Sequence, residues 1–201
     1  MCDLTSKGYN RLFVDLIKKL RREDSFSGAA IRKFLLDQTA EISVWPTDET
    51  FEEKWVSTEI YRRLAKAATR MILEALETAL HTDWTERVQV EHQLTIEHLM
   101  PRSWEEHWPL TCEGSSEETR REAARVRNQV VHQIGNLTLL TRKLNPSVSN
   151  GPWEQKRREI LKYSALNLNR SLQDNWNEAQ ILQRSKQLLD VALKIWPRPN
   201  S

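Results

Sequence analysis

Leu12, Phe13, Leu16, Ile17 and Leu20 recur at helical spacing near the start of the chain. The "SFSG" that follows offers Ser25 or Ser27 as the N-cap of a second helix reaching about Asp37. "WPTDETFEEKW" opens a third helix. Pro46 suits a helix start, Asp48 and Glu49 sit in the first turn where the macrodipole favours carboxylates, and Phe51 and Trp55 lie four apart on one face. A longer helix is expected from about Glu59 to Leu80, turning Leu64, Ala68, Met71, Ala75 and Ala79 inward. Between Val88 and Leu99 the pattern changes to short β-compatible runs, "VQV" and "LTI", and the next such run is "NLTLLT" at 136–141. These runs are expected to face each other across an insertion over about 102–134. It holds "SWEEHWPL", a Gly-Ser-Ser turn at 114–116 and a charged helix "EETRREAARVRNQVV". "PWEQKRREILKY" reads as a helix beginning near Pro152, and Ile181, Ser185, Leu188, Ala192 and Ile195 mark a last helix ended by "WPRP". The pattern therefore predicts a mainly α (α+β) protein, expected to form one compact domain. A helical section covers 1–87, a core 88–165 carries the insertion, and a C-terminal helix lies within 166–201.

Composition narrows the class. With 201 residues and 39% apolar content the chain can build a core, and 29% charged residues with only 5 Gly and 7 Pro exclude collagen-like and linker-dominated chains. Cys2 and Cys112 have no C-x-x-C spacing, which predicts neither a disulfide framework nor cysteine-bound zinc and points to a reducing cytoplasm. No apolar run approaches the roughly twenty residues that cross a bilayer, and "MCDLTSKGYN" lacks the pattern of a signal peptide, so no membrane is expected as a partner. The net charge of +2 is too small to announce a nucleic-acid binder. From Arg142 to Lys162, however, six basic residues (Arg142, Lys143, Lys156, Arg157, Arg158, Lys162) stand against Glu154 and Glu159, a local excess of 6 − 2 = +4.

The residues with chemical potential lie in "LTIEHLMPRSW", 94–104, and "HQIGNLTLLTRKLN", 132–145. Successive side chains of a strand point to opposite faces, so Glu97 and His98 reach one cavity only where the strand ends or bulges. Pro101 supplies such an ending, because it lacks an N–H for the ladder and restricts its predecessor. A neutral imidazole can take a proton from water, and a carboxylate can hold a divalent cation against a phosphate. Asn145 is the candidate second ligand, since carboxylate and carboxamide oxygens suit Mg²⁺ or Mn²⁺ better than Zn²⁺. Asn136, following Gly135, is placed to pin the loop that holds His98, although an asparagine after glycine also simply makes turns. Asn145 could likewise be a helix N-cap. His81, His92, His107 and His132 have no partner at metal spacing, and Trp45, Trp55, Trp176 and Trp196 fall in amphipathic patterns that suggest core.

"TIEHLMP" at 95–101, "GNLTLL" at 135–140, Asn145 and the "SN…P…K" run from Ser149 to Lys156 together resemble the HNH branch of the ββα-metal nucleases, most closely the GmrSD-type C-terminal domain. The likeness extends to "WPTDETF" upstream and to the "W…IxxRxxxLLxxALxIWP" run over 176–197. It implies a helical scaffold around a small ββα-metal core and a metal-dependent DNA endonuclease or nicking activity in modification-dependent restriction or phage defence. It further implies one Mg²⁺ or Mn²⁺ ion held by Glu97 and Asn145, His98 as general base, and Asn136 orienting it. Arg102, Lys143, Asn150, Lys156 and Arg157 are then expected at the substrate, with Asn150 and Lys156 holding the loop and a phosphate. Asn145 departs from the terminal His of the plainest HNH pattern. The resemblance also implies a nucleotide-binding, ParB-like N-terminal domain or separate subunit as partner, this chain then being a nuclease half. The rival expectation is a non-catalytic DNA-binding or partner-docking module that keeps the fold.

Overall fold

A computed structural model describes residues 8–40, 43–81, 94–110, 116–145 and 150–199. The "VQV" run, Cys2, Cys112, His92 and Ser149 fall outside them. Two compact units are distinguished, Met1–Lys54 with Trp196–Ser201, and Trp55–Ile195.

In the first unit α1 (Tyr9–Arg22) and α2 (Gly28–Leu36) pack through Leu16, Leu20 and Phe34. Ser27 is the N-cap of α2, its hydroxyl accepting from the Ala30 N–H at 3.1 Å. α3 (Asp48–Ser57) begins at the acidic pair that the macrodipole favours.

The expected helix from Glu59 to Leu80 is two helices, α4 (Ile60–Arg63) and α5 (Lys66–Ala79), because Leu64 adopts an extended conformation between them. The inward face differs as well. α5 buries Thr69, Ile72, Leu73, Leu76 and Glu77, while Met71 is 56% exposed. Glu77 is buried because its carboxylate accepts from the Asn167 and Leu168 N–H groups at 2.9 and 2.8 Å, capping α8 (Asn167–Arg170).

In the unit Trp55–Ile195, β1 (Leu94–His98) and β2 (Leu137–Thr141) form an antiparallel pair, with Leu94 opposite Thr141 and His98 opposite Leu137. Between them α6 (Glu117–Val130), capped by Ser116, crosses the insertion. α7 (Trp153–Tyr163) follows β2, and α9 (Glu178–Ile195) closes the unit. A core of Leu99, Met100, Trp104, Trp108, Leu140, Ile160 and Trp176 lies beside the sheet. Trp55, Trp104, Trp108 and Trp176 are all buried, whereas Trp196, expected in the core, is 38% exposed. Among the described residues no helix is long and apolar enough to cross a membrane.

The turn entering β2 depends on one glycine. A Cβ on Gly135 would stand 2.0 Å from the Ile181 carbonyl oxygen and 2.3 Å from Ser185 Oγ, so only glycine lets the 3-10 turn Ile134–Asn136 lie against α9. The Gly135 N–H donates to Ser185 Oγ at 3.1 Å. Arg184, on the same face of α9, donates to the carbonyls of Gly135 (2.7 Å), Leu137 (2.8 Å) and Leu168 (3.1 Å), and its complete burial pushes its pKa down to about 10.

Candidate functional site

Strand pairing carries through His98, and the Leu99 N–H still donates to the Asn136 carbonyl at 2.8 Å, so the chain leaves sheet geometry just after the Glu-His pair. Glu97 and His98 therefore keep the alternation of a regular strand. Thr95 and Glu97 share a face with Leu140 and Thr138; Ile96 and His98 share the other with Leu139 and Leu137.

On the Glu97 face the deciding neighbour is Lys156 from α7. Its side chain is buried, and its ammonium donates to Glu97 Oε1 at 2.5 Å and to the His98 carbonyl at 2.6 Å. Lys156, expected to hold the loop and a phosphate, is buried here as the counter-ion of Glu97 and is bonded to the backbone at His98. Desolvation pushes the Glu97 carboxyl up, opposed by Lys156 and by the His98 main-chain N–H; desolvation likewise pushes the Lys156 ammonium down, opposed by Glu97. Asn145 reaches the same face. Its Nδ2 donates to Thr95 Oγ1 at 2.9 Å and the Ile96 carbonyl at 3.4 Å, which leaves Oδ1 as an acceptor.

On the opposite face the His98 ring packs edge-on against Tyr61 (centroids 4.4 Å apart) and His132 (5.4 Å), and Tyr61 stacks on His132 at 5.9 Å. His98 Nε2 is buried and has no hydrogen-bond partner. Burial foremost, then the charges of His132, Arg102 and Lys156, lower the His98 pKa to about 3, so the imidazole is neutral at physiological pH. A cavity of about 360 Å³ opens between α5 and β1, lined by Tyr61, Lys66, Arg70, Leu94, Thr95 and Ile96.

Asn136 is fully enclosed and every side-chain hydrogen-bonding position is engaged. Oδ1 accepts from the Met100 N–H (2.8 Å) and Trp176 Nε1 (3.0 Å), and Nδ2 donates to the carbonyls of Met100 (2.8 Å) and Val131 (2.9 Å). It has no capacity left for substrate and makes no bond to the His98 ring. Its two bonds to Met100 clamp the backbone two residues after His98.

The remaining expected residues are spread. Arg102 is exposed, yet its charge acts on Glu97, His98 and His132. Lys143 is exposed in the turn after β2, and Asn150 is exposed ahead of α7. Arg157 is occupied, its Nε donating to the Leu172 carbonyl at 3.0 Å and its Nη2 pairing with Asp174 at 2.9 Å. Sequence reasoning missed Tyr61 and the role of Thr95, although Thr95 stands inside the "TIEH" run.

Glu97 and Asn145 present one carboxylate and one carboxamide oxygen on the same face of β1. Such hard donors fit Mg²⁺ or Mn²⁺. No group of three His, Cys, Asp or Glu side chains that could hold a metal occurs among the described residues, so a cation here would rely on water and phosphate for its other ligands.

The chain matches the family model described as GmrSD restriction endonucleases, C-terminal domain, over residues 45–191. It belongs to that family. The matched span runs from Trp45 into α9 and takes in β1, β2, the Asn136 clamp, Lys156 and Arg184, so the GmrSD C-terminal domain includes every residue of the site described above. No curated protein matched the chain.

Proposed function

We propose that the chain is a metal-dependent DNA endonuclease or nicking domain of the HNH, ββα-metal type, hydrolysing phosphodiester bonds in modification-dependent restriction or phage defence. The observation that carries this reading is that β1 bears two oxygen donors, Glu97 and Asn145, on one face and, at the next residue on the other face, a neutral histidine whose Nε2 has no partner. Membership of a restriction endonuclease family supports it and supplies DNA as the substrate.

In this reading Glu97 and Asn145 would hold Mg²⁺ or Mn²⁺, which would supply positive charge against the phosphate. His98 accepts the proton of the attacking water at Nε2. Thr95 orients Asn145 by accepting from its Nδ2, and Asn136 fixes the backbone that follows His98. Exclusion of water around the imidazole by Tyr61 and His132 keeps it unprotonated until substrate arrives. Arg102 and Lys143 contact the phosphate backbone. A ParB-like nucleotide-binding domain or subunit is the partner this reading expects.

A non-catalytic DNA-binding module with the same fold is the competing reading. The burial of His98 and the Lys156 ammonium on Glu97 favour it, since a base with a pKa near 3 accepts protons weakly. Plasmid cleavage assayed with Mg²⁺, with Mn²⁺ and with EDTA decides between them. Cleavage that needs metal supports the nuclease; retained DNA binding with no cleavage in either metal supports the alternative.

A further inference from the structure

The Glu97 carboxylate already has a cation. Lys156 is as buried as any side chain in the core, and its ammonium donates to Glu97 Oε1 at 2.5 Å and to the His98 carbonyl at 2.6 Å, so a fixed positive charge already faces the carboxylate. A divalent ion joining Glu97 and Asn145 would bring two further positive charges next to a fixed ammonium in a site poor in water. Of the two donors only Glu97 carries a formal negative charge, since Asn145 contributes none. Repulsion between like charges at such separations is large where solvent does not screen it. The missing negative charge can come from a phosphodiester, which Mg²⁺ uses as a ligand wherever protein carboxylates are few.

We infer that Lys156 is a resident counter-ion that makes metal and DNA bind together, so that the cation occupies the Glu97–Asn145 site only with a DNA phosphate beside it. Protein without DNA then stays metal-poor, and DNA supplies the charge that admits the ion. By linkage the coupling is reciprocal: the factor by which DNA tightens metal binding equals the factor by which metal tightens DNA binding. The inference rests on the reading of Glu97 and Asn145 as ligands.

Calorimetry of Mn²⁺ binding to the full chain, with and without a phosphorothioate duplex that resists hydrolysis, measures it. Because a phosphate contact is independent of sequence, a duplex of arbitrary sequence at low salt suffices. The wild type is expected to bind Mn²⁺ at least about tenfold more tightly with the duplex, within the usual range of coupling between sites. Titrating duplex with and without Mn²⁺ must return the same factor. Lys156→Met is expected to bind Mn²⁺ more tightly than wild type in the absence of DNA and to lose most of the enhancement, whereas a purely structural lysine would leave metal binding unchanged or weaker. Lys156→Arg, which keeps the charge, should keep the enhancement.

Equal wild-type affinity with and without duplex overturns the inference, and needs no variant that might fold poorly. So does a folded Lys156→Met protein that binds Mn²⁺ no better than wild type. The ligand reading fails by a different sign: Mn²⁺ binding that survives unchanged in both Glu97→Gln and Asn145→Ala would remove the site itself.

Discussion

His98 is 7% exposed, and burial against Tyr61 and His132 holds its pKa at about 3. In the unfolded chain the imidazole returns to about 6.5. Between those values the unfolded state binds the extra proton, so this contribution to stability is complete above about pH 6.5 and is lost as pH falls toward 3, by up to ~1.4 kcal/mol per unit. Glu97, whose pKa is raised, works in the opposite direction, and His132, also lowered, in the same one. The His98 share is therefore read as a difference: urea denaturation at pH 7 and pH 5 should show wild type losing about 2 kcal/mol more than His98→Gln. Equal losses would contradict the burial of the ring. For function, His98→Ala should abolish plasmid cleavage while leaving Mn²⁺ binding in the presence of duplex nearly intact, since the imidazole accepts a proton and is not a ligand. Glu97→Ala has a consequence for stability that the strand-end position alone did not suggest. It strands the Lys156 ammonium in the core, at a cost of about 3–5 kcal/mol, and the double variant with Lys156→Met should recover much of that in thermal melts. Glu97, His98, Asn136 and Asn145 could be found in the sequence because their chemistry is concentrated in two short runs. The partners that decide their behaviour could not, since Lys156 lies 59 residues from Glu97 and neither spacing nor residue type says that a lysine in a basic helix is buried.

The element that positions the site is α9, through two residues one position apart. Ser185 receives the Gly135 N–H, and Arg184 gathers three carbonyls from the turn, from β2 and from α8. Gly135→Ala drives a methyl carbon into the α9 backbone, where no flexible side chain can yield. We expect a loss of roughly 3 kcal/mol in urea denaturation, with cleavage reduced as the Asn136 clamp shifts. A stability within about 0.5 kcal/mol of wild type would mean that α9 moves freely away from the turn. Local signals correctly anticipated a cap at Ser25 or Ser27, of which the chain uses Ser27, the first and last helices and the two facing strands, because a capping residue, an amphipathic stripe or an alternating run is read locally. It misjudged 59–80 for a physical reason. Ala and Met are compatible with either face of a helix, so the buried stripe of α5 was displaced, and its real marker, Glu77, is a polar residue that caps a distant helix. Arg184 sits in the "IxxR" run, yet an arginine facing only carbonyls has no sequence signature.

Across the unit Trp55–Ile195, surface charge suggests how a duplex would lie. Of the basic run over 142–162, Lys156 is buried and Arg157 is tied to Asp174 and the Leu172 carbonyl, so the excess read from sequence overstates what faces solvent there. Arg142 and Lys143 remain exposed past the end of β2. A second basic pair, Lys66 and Arg70, lies four apart on α5 at the cavity beside Tyr61, and Tyr61 packs on His98, which links that cavity to the proposed base. If DNA crosses β1 at its Leu94 end, which lies opposite the end of β2, its backbone meets both pairs, and each phosphate contact contributes counterion release. Removing both charges of one pair should lower the magnitude of the salt dependence of binding, log K against log [salt], by up to about 1.8. Arg70 is shared with Glu74 at 3.3 Å, so the Lys66→Ala, Arg70→Ala change should fall short of that bound, while the Arg142→Ala, Lys143→Ala change should approach it. Both should weaken binding about equally for unrelated duplexes, because phosphates carry no sequence information. Fluorescence anisotropy over a series of salt concentrations measures the slopes. If the α5 variant matches wild type in slope and affinity, DNA does not run past the His98 face; if loss is confined to one sequence, these residues read bases instead of the backbone.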